Sequence, residues 1–571
     1  MKISRVYRKS AEFPADACSG SFGAGIAGKW HITCLVIFAL LALFMITGCG
    51  GGSTDSNDSS TGTTTSTTGL VASSASVTYG TNVTLTATVT PDTATGTVTF
   101  YDSSTSLGSE TISSGTAALT ISSLSAGTHT ITASYGGSSS YASSTSSSVT
   151  VTVLSSSTGN WSYNAACGYG TAAYLLSSGI LSESGLSYST STLDQSAVCV
   201  TGTGTALTLI NPTISTSGNT SSNDNSSFYG LNAAVLNYSG GDLSITGGTI
   251  TTSGTGANGA FAYGSGSNIM LTNVTINATA NGGHGIMATG AGNVTLTNVN
   301  ITTAGTNSAP IATDRGSGTI TMTGGSMNSS GQDSPCIYST GIITVSNATC
   351  TATGSETAVV EGENSITLTN TTLSSSKADK WGVLIYQSMS GDAEGTEGTF
   401  TMTGGSLSYT STSGPLFYVT NSTGIITLKG VSVTVSSGTL IKAAAGSWGT
   451  SGSNGGTVNF TADGQTLTGN LIADSISGIT ASLQNSSALT GAIDTANTAK
   501  AVNLTIDPTS TWTVTANSYL TCLSDAGGIS GTTVLNITGN GYTVYYNSSS
   551  CTALGGITYT LSGGGYLRPE S

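Results

Sequence analysis

Charge is what this chain has least of. Lys and Arg number 12 and Asp and Glu 26 in 571 residues, so charged side chains make up 7%, against about 25% in ordinary globular proteins. Histidine is rarer still at 3, proline stands at 8, and aromatics at 6%. The shortage of Lys and Arg excludes nucleic acid and anionic lipid headgroups as electrostatic partners, since both are held by clustered positive charge. It also excludes a disordered polyelectrolyte, which couples high charge with few β-branched residues. No CxxC pair or His/Cys cluster suggests zinc, and neither a GGxGxDxUx nonapeptide nor a DxDxDG loop offers calcium ligands. No metal or cofactor is expected.

Thr, Ser and Gly fill the space that charge leaves, with 78 glycines. Thr, Val and Ile suit a pleated surface, and Gly suits tight turns. The composition predicts an all-β chain of the exported type, long enough for more than one domain.

The N-terminus agrees with export. Lys2, Arg5, Arg8, Lys9 and Lys29 precede the apolar run ITCLVIFALLALFMI (32–46), and ITGC follows at 46–49. A basic region, a short apolar core and small residues before a cut site describe a signal peptide, and the run is short for a membrane span. ITGC resembles the lipobox of bacterial lipoproteins. That resemblance implies cleavage after residue 48 and a lipid on Cys49, hence a membrane anchor at the outer membrane or cell surface. Gly50 stands where Asp would signal inner-membrane retention. Cleavage takes five basic and two acidic side chains with it, moving the net charge from −14 to −17.

Of nine cysteines, Cys18 and Cys34 leave with the signal and Cys49 takes the lipid. Cys167, Cys199, Cys336, Cys350, Cys522 and Cys551 remain as three sequence-neighbour pairs. Disulfides 167–199, 336–350 and 522–551 are expected in an exported chain, although six cysteines leave other connectivities open.

Residues 49–69, the lipidated Cys with GGGSTDSNDSSTGTTTSTTG, lack apolar periodicity and read as a flexible tether. Residues 70–154 change character. Alternating runs VTLTATV (83–89), GTVTFYD (96–102), AALTISSL (117–124), HTITASY (129–135) and SVTVTV (148–153) are separated by Gly- and Ser-rich turns. Short strands this closely spaced predict a β-sandwich. The order VTYGTNVTLTATVTP, TGTVTFYD, LSAGTHTITASYGGSSSYASSTSSSVTVTV resembles the bacterial Ig-like repeat family. The family implies a spacer or adhesive module on a bacterial surface and no catalysis. His129 is expected to be an ordinary strand or edge residue. Residues 155–160 form a linker.

From Trp161 a new period takes over. The motif apolar-x-apolar-x-x-x-x-apolar fits LTLINPTI (207–214), LSITGGTI (243–250), IMLTNVTI (269–276), VTLTNVNI (294–301), ITMTGGSM (320–327), ITVSNATC (343–350), ITLTNTTL (366–373), FTMTGGSL (400–407) and ITLKGVSV (426–433). VNFTADGQTL (458–467) is a looser copy. The starts are 36, 26, 25, 26, 23, 23, 34 and 26 residues apart. Each copy holds a strand, a bend at TGG or TNV, and a second strand. A further apolar piece precedes the next copy, among them GAFAYG (259–264), GIMATG (285–290), PIATD (310–314), CIYST (336–340), AVVEG (358–362), GVLIYQ (382–387) and PLFYVT (415–420). This predicts a single-stranded right-handed parallel β-helix over 161–500, with three strands per coil, Ile, Val, Leu and Met stacked inside, and Thr, Ser and Asn outside. A β-propeller is excluded because a blade needs about 40 residues or more. The two longer spacings read as loops leaving the coil, NTSSNDNSSFYG (219–230) and SKADKWG with SMSGDAEGTEG (within 376–398).

The segment LTIDPTSTWTVTANSYLTCL (504–523) resembles the phrase that closes autotransporter passenger β-helices. It implies that residues 501–571 form a C-terminal β cap over the open edge. No membrane-barrel pattern follows, so the lipid would be the anchor.

Right-handed β-helices include pectate lyases and polygalacturonases, whose chemistry needs clustered carboxylates or a carboxylate with Arg or Lys. Two places hold charge. One is Asp314–Arg315, with Glu361 and Glu363 two coils on. The other is the loop carrying Lys377, Asp379, Lys380, Trp381, Asp392, Glu394 and Glu397. Asp314, Arg315, Lys377, Lys380 and Trp381 are the candidate ligand-binding residues, and Trp381 and Trp448 could stack on sugar rings. His284, in NGGHG, reads as a surface turn residue. No catalytic residue is assigned. The expected function is a non-enzymatic surface lipoprotein, adhesin-like or structural, whose β-helix binds glycan, protein or a solid surface; the alternative is a polysaccharide-active β-helix enzyme. Three carboxylates or an Asp/Arg pair converging in one groove would favour the enzyme. Ice binding through Thr rows is a third reading, against which the irregular period counts.

Overall fold

The computed structural model describes residues 63–154 and 158–570. The expected signal peptide, the expected lipidation site Cys49, most of the expected tether and the start of the expected linker lie outside the described residues.

Residues 70–154 build two packed sheets. One holds Thr67–Ala72, Val83–Thr90 and Thr116–Ile121; the other is centred on Gly127–Tyr135 and includes Thr97–Asp102 and Val149–Leu154. Alternation explains the core: Val83, Leu85, Ala87 and Val89 point inward from one strand, and Ile131, Ala133 and Tyr135 from another. His129 sits on that second strand as expected, but it is buried and bonded. Its Nδ1 meets Asp102 Oδ2 at 2.7 Å and its Nε2 donates to the Ser125 carbonyl at 2.7 Å. Burial pulls its pKa down, but the Asp102 and Ser125 bonds outweigh that and leave it raised.

A β-solenoid of about 15 turns follows. Its coils stack in parallel ladders. A first sheet of 13 strands carries the apolar pieces noted above, as Ala260–Tyr263, Ile286–Thr289, Ile311–Thr313, Ile337–Ser339, Ala358–Glu361, Val383–Tyr386 and Phe417–Thr420. A second sheet of 22 strands carries both strands of the nine motif copies from 207 to 433 and the first strand of the looser copy. The copies lie in register: Ile269, Val294, Ile320, Ile343 and Ile366 are stacked neighbours and all face the core. The looser copy is set two residues later than its spelling suggests, since Ile426 opposes Phe460 and Gly424 opposes Val458.

The bend between the two strands is the same in every copy. Gly247, Asn273, Asn298, Gly324, Asn347 and Asn370 occupy it with φ from 49° to 70°. Only Gly pays no Cβ penalty there, and Asn is the side chain that best tolerates it. The TGG and TN spellings are therefore the chemistry of one left-handed corner.

Outward positions differ between the sheets. On the second sheet they are mostly polar, as expected, with Met270 and Ile342 as exposed apolar exceptions. One column reads Thr295, Thr321, Thr344, Thr367, Thr401, Thr427, and two residues further along each strand another reads Thr297, Thr323, Ser346, Thr369, Thr403. On the first sheet the expectation of Thr, Ser and Asn outside fails. Leu236, Phe261, Met287, Ala312, Tyr338, Val359 and Leu384 point outward there, and all are buried as a second apolar cluster. The two predicted loops contribute to its cover. Residues 219–230 contain the helix Asn223–Tyr229, N-capped by Ser222 and closed by Gly230 at φ 73°. Phe228 of that helix is buried, and its carbonyl accepts from Thr289 Oγ1 at 2.8 Å on the first sheet.

Both ends of the stack are closed. Ser162–Cys167 pairs antiparallel with Gly170–Leu176 over the first coil, where Trp161, Tyr174 and Tyr188 pack edge to face. In 501–570 parallel stacking continues through Ala501–Ile506 and Thr511–Val514. Antiparallel pairs at 529–534 and 559–567 then turn the edge in on itself. Trp512 is fully buried, its Nε1 donating to the Gly491 carbonyl at 2.9 Å. Bridges join Cys167–Cys199, Cys336–Cys350 and Cys522–Cys551, the expected neighbours.

Candidate functional site

The chemistry collects on the outward face of the first sheet. Aligned by register, the last residues of successive apolar pieces are Asp314, Thr340, Glu361, Tyr386 and Thr420. Asp314 and Glu361 thus share one column with a single coil between them. Stacked coils lie about 4.8 Å apart, so the two carboxyls are near enough to feel each other.

The two places singled out from the sequence meet in three dimensions through Asp392 alone. Arg315 Nη2 donates to Asp392 Oδ1 at 2.9 Å, so the Asp314–Arg315 pair and the 387–396 loop are tied together. The Arg315 guanidinium also lies 4.0 Å from the ring centre of Phe228. One arginine therefore joins both loops that leave the coil, with its plane on an aromatic face and its edge on a carboxylate.

Beneath that contact lie carboxyls with little access to water. Asp314 and Glu361 are each 1% exposed. Asp314 Oδ1 accepts the Arg315 amide at 2.7 Å, and its Oδ2 has no hydrogen-bond partner among the described residues. Burial, then the negative charge of Asp392, hold the Asp314 carboxyl well above the usual range. Glu361 Oε2 accepts from the hydroxyls of Tyr338 and Tyr386, and the Ser388 hydroxyl also favours the charged carboxylate. Burial raises its pKa despite those bonds.

Lys380, Trp381 and Lys377 part company. Lys380 Nζ sits 2.8 Å from Asp333 and 3.7 Å from Glu356, both buried acids. Trp381 stacks on Tyr418, ring centres 4.6 Å apart at 24°, with Trp448 at 6.3 Å and Trp448 against Tyr386 at 4.7 Å. Lys377 is exposed, and its carbonyl accepts from the Tyr409 hydroxyl. Glu363, Asp379, Glu394 and Glu397 are also exposed.

His284 is not the surface turn residue its neighbours suggest. It is 3% exposed, its amide donates to Asn258 Oδ1, and its Nδ1 accepts the Ala309 amide at 3.0 Å. Burial pulls its pKa down to about 4. The imidazole is therefore neutral with its proton on Nε2. It lines a narrow cleft with Asn307, Asp333, Pro335, Tyr338 and Tyr386.

Asp333, Glu356, Tyr338 and Tyr386 are not among the residues expected from sequence. A signal for the two tyrosines was present: aligning IATD, IYST, AVVE and VLIY shows polar or aromatic residues at outward positions of otherwise apolar pieces. Among the described residues no group of three His, Cys, Asp or Glu is arranged to hold a metal.

Residues 70–154 match the family model of the bacterial Ig-like domain (group 3). No curated protein and no solved structure matches the chain.

Proposed function

We propose that this is an exported, lipid-anchored surface protein in which the Ig-like domain spaces a non-catalytic β-helix that binds a glycan, protein or solid surface. An Ig-like domain followed by a β-solenoid fits a surface or structural role. One observation carries the non-catalytic reading. The three acids that converge, Asp314, Glu361 and Asp392, are buried beneath the junction of two loops, while the threonine columns on the exposed face carry no charge. Hydrolysis or elimination needs a carboxylate that touches substrate. A cluster sealed by an Arg–Asp contact is built to hold loops down.

The convergence of three carboxylates and an arginine favours a second reading, a polysaccharide-active enzyme whose 387–396 loop lifts to admit substrate. Release of reducing ends or unsaturated products from neutral and acidic glycans decides between them. No turnover by the wild type is the expected result; turnover abolished by Asp314→Asn and Glu361→Gln would sink the non-catalytic reading. The anchor has its own test: metabolic labelling with an alkynyl fatty acid should mark the wild type and not Cys49→Ala.

A further inference from the structure

We propose that the threonine array on the second sheet is an ice-binding surface. This deepens the binding reading above, since it names the solid surface and rests on the solenoid being a binder. The array is two-dimensional. Thr295, Thr321, Thr344, Thr367, Thr401 and Thr427 are direct neighbours in successive coils, with Thr297, Thr323, Ser346, Thr369 and Thr403 beside them. No register shift interrupts these pairings.

Geometry makes the array a lattice. Parallel strands repeat at about 4.8 Å, and side chains two residues apart on one strand repeat at about 6.6 Å. Both spacings are close to oxygen repeats in the surface planes of ice. A sheet normally twists away from such a plane, but stacked side-chain ladders oppose twist. Threonine is stiff at χ1, so each site presents its hydroxyl and its methyl in a fixed direction. Among the described residues no protein group takes the hydroxyls of Thr295, Thr321, Thr344, Thr367 or Thr401, which leaves them for water.

The irregular repeat length, which counted against a lattice in the sequence, is absorbed elsewhere. Both long spacings place their extra residues beside first-sheet strands, at 219–230 and at 376–396, whereas the corner joining the two second-sheet strands is the same left-handed bend each time. Coils of different length therefore present threonine at the same height.

Composition selects ice over a crystalline polysaccharide. From Asn268 to Thr403 the outward positions of the first strand of each copy hold no aromatic side chain, and their one charged side chain, Glu397, starts its strand outside the two threonine columns. Sugar-binding flats stack rings on aromatics, and the half-buried stacked aromatics Tyr238, Tyr263 and Trp381 lie on the side of the other sheet. A charged group would impose its own hydration shell; a neutral hydroxyl–methyl grid can order water without one.

The test uses the full-length protein as exported. Freezing hysteresis, faceting of growing ice and inhibition of ice recrystallisation are measured for the wild type, for Thr344→Lys with Thr367→Lys, and for Thr344→Val with Thr367→Val. Thr249→Lys with Thr275→Lys, past the corner on the neighbouring face, is the control, and circular dichroism checks folding. The proposal expects faceted crystals and hysteresis for the wild type and control, and loss of both for the Lys pair. Absence of any effect of the wild type on ice overturns it, as does activity unchanged by the Lys pair. Retention on crystalline cellulose without an effect on ice overturns the ice assignment while the binding reading stands.

Discussion

The solenoid's two long sheets use one backbone plan for opposite purposes. The first sheet is buried on both faces: Val383 and Ile385 fill the interior while Leu384 fills the outside. The second is buried on one face only, with Ile366 and Leu368 inside and Thr367 in water. Insertions explain the difference. Where the chain leaves the coil it can fold back, and it does so beside the first sheet, carrying in Phe228, Asp392 and Trp448. Where consecutive strands are joined by a fixed two-residue corner, nothing can cover them and the surface stays periodic. Length variation is thus what turns one face of a repeat into an individual site and spares the other.

Truncation of an outward side chain to alanine should separate the sheets most strongly. Phe261→Ala removes a fully buried outward ring from the first sheet, a change that costs about 3–5 kcal/mol in ordinary cores. Thr344→Ala, the outward equivalent on the second sheet, should stay within about 0.5 kcal/mol. Denaturant midpoints check both. Equal losses would mean that the covered face is not a second core.

The next effect concerns the loop junction. Arg315→Ala leaves Asp392 buried without its cation and Phe228 without its guanidinium. Leaving a buried charged group unpaired costs about 1–3 kcal/mol, reduced here because the arginine is itself 44% exposed. Limited proteolysis should then cut within 387–396 well before the solenoid unfolds. Unchanged protection of that loop would show that Arg315 does not hold it. Thr367→Ala, two coils from the same region on the open face, should leave the digest unaltered.

The same contrast governs what was legible in the sequence. The second sheet was readable almost residue by residue, because inside–outside alternation writes Ile, Val and Leu at fixed offsets and the corner demands Gly or Asn. The first-sheet strands were readable as apolar pieces, but their outer cover was not. Loop paths have no period, so nothing in the sequence places Asp392 against Arg315, separated by 77 residues. His284 was misjudged for a related reason. Its flanking glycines suggested an exposed turn, yet a Cβ on Gly283 would meet the Ala257 carbonyl oxygen at 2.4 Å, and one on Gly285 would meet Ile301 Cγ2 at 2.3 Å. Those glycines mark close packing between coils. Neighbour composition alone does not separate a turn that needs freedom from a contact that needs space.

The smallest effect is a pH dependence that the first sheet carries and the threonine columns lack. His284 has a folded pKa of about 4 against 6.5 unfolded. Between those values the unfolded chain binds the extra proton, so its contribution is complete above 6.5 and is lost as pH falls toward 4. Asp314 and Glu361 act in the opposite sense. Their folded pKa values are raised, so stability is greatest below their unfolded range and falls as pH climbs through the folded values. The groups that face them, Asp333, Tyr338 and Tyr386 at the histidine and Asp392 and Arg315 at Asp314, belong to the same sheet and its loops. In the wild type the two slopes partly cancel, which makes the net change of melting temperature between pH 4 and 7 shallow. Single substitutions should expose each one. Glu361→Gln removes one falling component, and its melting temperature should climb more steeply from pH 4 to 6.5 than that of the wild type. His284→Gln removes the rising component and should leave a melting temperature that only declines with pH. Parallel profiles for wild type, Glu361→Gln and His284→Gln would mean that these buried groups keep their solution pKa values and that the first sheet is no more sensitive to protons than the threonine face.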